Sequence, residues 1–454
     1  MSDIEEHRKK IEEITLEMIK LLKTRTDIAK QIGHAKASLG MTVTDEERED
    51  ALRSQVAKLC KEIDLDQSTA SKFLNLLLNE SVKVQSDGKQ THLSVFLKAK
   101  ALEEEGKKII HLEVGEPDFK PPEEVKTALA EVYDKGYGKY GPAKGIKELV
   151  SALATRNTVL TDDVMVCPGA RFAVYLAINT LLNPGDEIIV IEPSWPAYKD
   201  CALNAGIKVR TIKTTLETKW EPSIEQINNA INENTKMIIL NYPNNPTGKI
   251  LSNELLASII RTAEDHDLYV LSDEIYSEYT NNDWKSVDEF GSIEHHKKKI
   301  ITQSFSKSHA MTGYRIGFVY ADPQIIEKML KLQALSLTNV SEPIQYAALQ
   351  ALKADTSDNT NMIKSRLEAL VKIAKDIGLE FIEPDGAMYL FAKTKYKDFD
   401  ATRFSEQLLE RGVAIAPGEG FGDYKEFFRL TAIDETKLKE GMIILDTILK
   451  ELYG

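Results

Sequence analysis

Ser304-Phe305-Ser306-Lys307-Ser308-His309-Ala310-Met311-Thr312-Gly313-Tyr314-Arg315 surrounds one lysine with small and apolar residues, a hydroxyl three positions before it and an arginine eight after it. A solitary lysine is nearly always a solvated surface charge. This neighbourhood suits a Schiff-base lysine beside a phosphate dianion instead. Upstream lie the apolar, β-branched runs 187–191 (Glu-Ile-Ile-Val-Ile), 236–240 (Lys-Met-Ile-Ile-Leu) and 269–271 (Tyr-Val-Leu), alternating with helical stretches. That grammar predicts an α/β unit built on a mostly parallel sheet. All 15 prolines fall after residue 86, in keeping with many loops there.

Further polar residues stand where such strands would end. A predicted strand over 164–167 runs into Pro168-Gly169-Ala170-Arg171, with a helix from Phe172. Free backbone N–H groups at that helix start would cradle an anion. Asp273, in Leu271-Ser272-Asp273-Glu274-Ile275-Tyr276, follows a buried-looking strand; the plain alternative is a strand-end aspartate capping a turn. Trp195, in Glu192-Pro193-Ser194-Trp195-Pro196, would on its own be a core aromatic. Arg429, in Phe427-Phe428-Arg429-Leu430-Thr431, sits among apolar residues that argue against a surface position.

On these motifs, residues 93–454 resemble the fold-type I, class I and II aminotransferases over the entire segment. The resemblance implies pyridoxal 5'-phosphate as cofactor, a large domain over roughly 126–332, and a smaller α+β domain from 93–125 and 333–454. It implies that Lys307 holds the cofactor and shuttles the substrate proton. Asp273 would pair with the pyridinium nitrogen, and Tyr276 and Asn245 (in Asn241-Tyr242-Pro243-Asn244-Asn245-Pro246-Thr247-Gly248) with the phenolic oxygen. Trp195 would stack on the ring. Gly169, Ala170, Arg171, Ser304 and Arg315 would surround the phosphate, joined by Tyr140 (in Lys139-Tyr140-Gly141-Pro142) of the neighbouring subunit. Ala170 departs from relatives that carry a hydroxyl or glycine there, a change that spares a backbone contact. Arg429 would grip the substrate α-carboxylate, and Gly115, in Val114-Gly115-Glu116-Pro117-Asp118-Phe119, would lie in the loop closing over it.

The first 86 residues follow another grammar, without proline and with one internal turn run, Ser38-Leu39-Gly40-Met41. They predict three helices, about 3–37, 45–63 and 67–86. Thr44 and Glu47 would form a capping box on the second, and Asp66 or Ser68 would cap the third. Residues 87–92 read as a linker. Helix one carries a heptad-like seam, Ile4, Ile11, Met18 and Ile32 beside Ile14, Leu21, Ile28 and Ala35. Arg25 interrupts it, and Arg8 and Lys36 border it. One reading has these cations snorkel out of a dimer seam; as a set they suggest an anion pocket. At 1.5 Å rise per residue, Arg8 and Arg25 are about 25 Å apart and Arg25 and Lys36 about 16 Å. Arg8 therefore cannot share a small ligand with its own chain's Arg25, whereas a partner's Arg8 can in an antiparallel dimer.

On helix three Ser81 and Gln85 share a face, and on helix two Asp45, Arg48 and Glu49 do. Residues 4–85 resemble the all-helical chorismate mutases, with Arg8, Arg25, Lys36, Asp45, Arg48, Glu49, Ser81 and Gln85 matching that family's pocket in register. The resemblance implies that Arg25 and the partner subunit's Arg8 hold the two carboxylates of chorismate. Lys36 and Gln85 would donate to the ether oxygen and Glu49 would accept from the ring hydroxyl, with Asp45, Arg48 and Ser81 completing the wall.

The expectation is a bifunctional enzyme of aromatic amino-acid synthesis. It would take chorismate to prephenate, then aminate prephenate or an arylpyruvate from glutamate or aspartate. A general aspartate/2-oxoglutarate aminotransferase carrying a mutase or prephenate-sensing domain stays open, as does a plain dimerisation arm. Ser94 and Arg171 lie near where a distal carboxylate would be read. A DNA-binding regulator is disfavoured by 14 Lys+Arg against 16 Asp+Glu in residues 1–86 and a net charge of -13 overall. Cys60, Cys167 and Cys201 show no metal-ligand spacing and fit a reduced compartment. The N-terminus lacks a signal-peptide layout and no apolar run suffices to span a bilayer, so a cytoplasmic homodimer or larger homo-oligomer is expected.

Overall fold

In the computed structural model the described residues are 2–38, 46–85, 92–280, 284–291 and 297–454. They form two compact units, 1–89 and 90–454. Of the expected linker at 87–92, residues 87–91 lie outside the described residues and His92 opens the helix His92–Glu104; the capping box of Thr44 and Glu47 also falls outside the described positions or side chains.

The first unit is three helices, α1 (Ser2–Ser38), α2 (Glu46–Ile63) and α3 (Gln67–Gln85). Asp66 caps α3, its Oδ2 accepting the Thr69 N–H at 2.7 Å. α1 and α3 meet at backbone distance, because a Cβ on Gly33 would lie 2.9 Å from the Gln85 Cα. The core holds Ala29, Cys60, Leu74 and Leu78. The seam of α1 is left outside it: Ile4 is 60% exposed, Ile11 66%, Ile14 62%, Leu21 62% and Ile28 51%. An apolar stripe of this length on a soluble helix marks an association surface.

The second unit centres on a seven-stranded sheet. Its strands follow β1 (Ile110–His111) in the chain: β2 (Val164–Cys167), β3 (Glu187–Glu192), β4 (Lys208–Lys213), β5 (Thr235–Leu240), β6 (Tyr269–Asp273), β7 (Lys299–Ser304) and β8 (Gly317–Ala321). The order is β2-β8-β7-β6-β5-β3-β4, with β8 alone antiparallel to its neighbours. Helices cover both faces, so each central strand is a continuous apolar run; β3 is buried at every position. Its terminal Glu187 is satisfied inside because Arg210 (2.9 Å) and Asn232 (2.7 Å) donate to it.

The remaining strands are β9 (Glu380–Phe381), β10 (Tyr389–Lys393), β11 (Val413–Ala414), β12 (Ala416–Pro417) and β13 (Phe427–Thr431). β12-β13-β10-β9 form an antiparallel sheet, and β1 pairs in parallel with β11. This smaller module has its own core, including Leu112, Phe404, Phe428, Leu430 and Leu445. Residues Val340, Ala347, Ala348 and Ala351 pack into the large-sheet core. Among the described residues no helix is long and apolar enough to cross a membrane.

Candidate active site

At the C-terminal ends of the parallel strands lies a cavity of about 220 Å³ lined by Gly115, Ala170, Arg171, Trp195, Tyr198, Asn241, Asn245, Asp273, Ile275, Tyr276, Lys307, Tyr389 and Arg429. Strand ends are where open α/β sheets expose backbone and loops to a ligand. Nine of the residues singled out in the sequence meet here. A larger cleft of about 750 Å³ near Thr158 and Lys299 holds none of them.

Lys307 follows β7 on the short helix Phe305–Ser308. Its ammonium donates to the Gly115 carbonyl, and burial pushes its pKa down to about 8. Near neutral pH roughly a tenth is thus free amine, far more than for a solvated lysine, and able to take a proton. Asp273 ends β6 and is 1% exposed. Tyr198 Oη donates to its Oδ2 at 2.7 Å, while Oδ1 has no partner. Burial raises its pKa to about 6. A buried carboxylate oxygen left open toward a cavity calls for an N–H donor.

Arg429 on β13 is 2% exposed. Its Nη1 donates to Asn245 Oδ1 at 2.7 Å and its Nη2 to the Glu113 carbonyl. The guanidinium stacks on Tyr389 (4.3 Å) and Phe421 (5.0 Å), and its Nε is unpartnered. An enclosed guanidinium without a carboxylate counter-ion among the described residues has the chemistry to receive a carboxylate. Tyr276 and Tyr389 share a hydroxyl contact at 2.6 Å. A Cβ at Gly115 would collide with the Tyr389 hydroxyl, so only glycine lets this loop lie against β10.

Gly169 adopts φ +85° and opens the helix Ala170–Leu181 with no side-chain cap, leaving its first N–H groups free. The Arg315 guanidinium comes to the same place, with Nη2 2.8 Å from where a Gly169 Cβ would stand. Arg315 also donates to the Thr312 and Pro168 carbonyls, at 2.7 and 3.4 Å. The helix starts at Ala170, two residues before the expected Phe172. Arg171 stacks on Trp195 at 4.7 Å.

Four expected members do not line the cavity: Gly169 and Arg315, which meet at the helix start, and Ser304 and Tyr140. The Ser304 hydroxyl donates to the Ile316 carbonyl (3.0 Å) and caps its own helix through the Ser306 N–H (3.0 Å), and Ser304 does not line the cavity. Tyr140 is 89% exposed and remote from the cavity lining of its own chain. Conversely Tyr198, Asn241 and Tyr389 line the site and were not anticipated. Tyr198 lies three residues after Trp195, in the first turn of the helix Ala197–Asn204, so reading on from Trp195 would have found it.

In the first unit Arg25 donates to the Leu77 carbonyl at 2.6 Å and to the Ser81 hydroxyl, and burial lowers its pKa. One end of the buried Gln85 amide has no partner, and the two ends interchange by a flip. Lys36 and Glu49 are half-buried and Arg48 is exposed. Asp45 lies outside the described residues. Arg8 is 73% exposed and pairs with Glu5 at 3.5 Å, apart from Arg25 on the same helix.

A family model described as aminotransferase class I and II matches residues 107–443, and one described as chorismate mutase type II matches residues 7–86. Among curated relatives, an aspartate aminotransferase of Thermotoga maritima is 36% identical over 71% of this chain and 87% of its own length. An aspartate/prephenate aminotransferase of Thermus thermophilus is 31% identical over 80% of this chain and 96% of its own. The crystal structure of the Thermotoga maritima aspartate aminotransferase superimposes with a TM-score of 0.76 at 33% identity, covering 80% of this chain and 98% of that one.

Proposed function

Because this chain belongs to the class I and II aminotransferases and carries a type II chorismate mutase module ahead of that domain, we propose that it rearranges chorismate to prephenate and then transaminates prephenate. The observation behind the second step is the pairing in one polypeptide, together with relatives named as aspartate/prephenate aminotransferases. Relatives named simply as aspartate aminotransferases favour a second reading, exchange between aspartate and 2-oxoglutarate. Both readings use the same cavity.

Pyridoxal phosphate suits the residues present. The open Asp273 Oδ1 awaits a ring N–H, and the uncapped helix start beside Arg315 awaits a phosphate. When bound, that cofactor supplies an electron sink and an amino-group carrier. Arg429 and Asn245 orient the substrate α-carboxylate. Lys307 Nζ takes and returns the proton at the substrate Cα, its lowered pKa keeping it competent near neutrality. Trp195 and Tyr198 wall the ring side, and the Gly115 loop excludes water.

Arg171 is the cation left at the cavity wall for a second carboxylate, a group that aspartate, glutamate and prephenate share and phenylpyruvate lacks. Arg171→Gln should raise KM for the dicarboxylic substrates roughly tenfold more than for phenylpyruvate, about 1.4 kcal/mol of differential binding. Equal changes for both classes, measured side by side, count against this role.

In the mutase unit no nucleophile is needed. Arg25, already fixed by Leu77 and Ser81, and the partner subunit's Arg8 hold the substrate dicarboxylate in its compact conformer. Lys36 and Gln85 stabilise charge developing on the ether oxygen. A homodimer follows, burying the exposed α1 seam. Arg8→Ala and Arg25→Ala should each lose mutase activity by about 10²-fold or more. A mixture of the two, unfolded and refolded together, should regain activity, since one site per mixed dimer keeps both arginines. A mixture as inactive as its parents contradicts the shared site.

A further inference from the structure

The backbone carbonyl that holds Arg429 belongs to Glu113, whose side chain ends a chain of alternating charges running in from the surface. Lys100 Nζ donates to Glu103 at 2.7 Å on the helix α4 (His92–Glu104). The other Glu103 oxygen lies 3.2 Å from His111 Nε2, and His111 Nδ1 lies 2.8 Å from Glu113 Oε1. The Glu113 carboxylate is fully enclosed, and its second oxygen has no partner.

Enclosure of this kind makes a carboxylate depend on the one donor it has. His111 is that donor, and as imidazolium it donates from both nitrogens at once, to Glu113 and Glu103. Its pKa is raised, chiefly by the hydrogen bond to Glu113, with burial opposing and Glu103 adding. The other close neighbour is the uncharged Phe96 ring, at 6.3 Å. The residue after β1 is also tied on both sides, Leu112 donating to the Ala414 carbonyl and accepting from Thr431 N–H, each at 2.9 Å. Thr431 is two residues from Arg429 on β13, so the clamp and the arginine share one short stretch of backbone.

We propose that His111 and Glu113 are positioning residues: their clamp fixes the carbonyl that aims Arg429 at the substrate α-carboxylate, and so sets substrate affinity. This rests on the aminotransferase reading above. Affinity should be full while His111 is charged and fall as pH rises through its folded-state pKa, because a neutral imidazole keeps one donor for two carboxylates.

The test uses the full chain loaded with pyridoxal phosphate. KM and kcat for aspartate, and binding of succinate (which has no amino group to titrate), are followed between pH 6 and 9. His111→Ala and Glu113→Ala should raise KM and the succinate Kd about tenfold while kcat stays within about threefold. Thermal unfolding and pyridoxal phosphate uptake of the same samples report folding of the unit that holds His111. His111→Gln, whose amide can still donate to Glu113, should recover most of the affinity at neutral pH and lose the His111-dependent alkaline fall. Separately, NMR titration of the His111 ring in chain free of cofactor should give a midpoint above 6.5 that drops in Glu113→Gln. Unchanged KM and Kd in the alanine variants, an alkaline fall retained in His111→Gln, or a ring midpoint at or below 6.5 overturns the inference. A wild-type chain that responds to no amino acid overturns the functional reading, and the inference with it.

Discussion

Lys307→Ala is expected to lose transamination by at least about 10³-fold while chorismate is still rearranged at the wild-type rate. Lys307 is the only lysine among the described residues lining the cavity. Its burial, which pulls the pKa to about 8, is what lets an amine act as base near neutrality. The other charged groups there are committed elsewhere: Arg429 donates to Asn245 and the Glu113 carbonyl, Arg171 stacks on Trp195, and Asp273 is engaged by Tyr198. Borohydride treatment should no longer fix pyridoxal phosphate covalently to the variant. The mutase acts as internal control, since its pocket residues belong to the other compact unit. A variant that transaminates at a normal rate removes Lys307 from the reaction.

The reciprocal expectation concerns Gln85→Ala and Lys36→Ala. Each should lower mutase kcat by about 10²–10³-fold, the cost of one preorganised donor to a developing oxyanion. Transamination should be untouched. The buried Gln85 Oε1 has no partner among the described residues, and α1 and α3 pack closely there at Gly33. Truncation at Gln85 removes the whole amide while leaving the Gly33 contact to the Gln85 backbone in place, so circular dichroism and thermal unfolding should change little. Near-normal turnover in both variants would dismiss the pocket and favour a dimerisation arm.

What the sequence revealed follows from how local each signal is. The strands at 187–191 and 236–240 were legible because β-branched runs buried on both faces have few alternatives. The three helices were legible from an absence of proline and a seam of regular spacing. The separation of Arg8 from Arg25 needed only the helical rise, and the exposed seam of α1 agrees with it. Lys307, Asp273 and Arg429 announced themselves as charges in apolar settings. Tyr389 and Glu113 did not, because their partners are remote in sequence: Tyr276 lies 113 residues from Tyr389, and Arg429 lies 316 residues from Glu113. No periodicity encodes such contacts; they exist only once β10, β13 and β1 are brought together. Ser304 also caps its own helix, its hydroxyl accepting from the Ser306 N–H and donating to the Ile316 carbonyl, a use that its spacing before Lys307 does not reveal. A serine at a helix start competes for its own cap, and spacing alone does not weigh that.

The most direct test incubates the full chain, loaded with pyridoxal phosphate, with chorismate and either glutamate or aspartate, and identifies the products by mass spectrometry. The proposal predicts arogenate, the aminated form of prephenate, formed from chorismate without any added enzyme. Prephenate accumulating with no aminated product from either donor would contradict it.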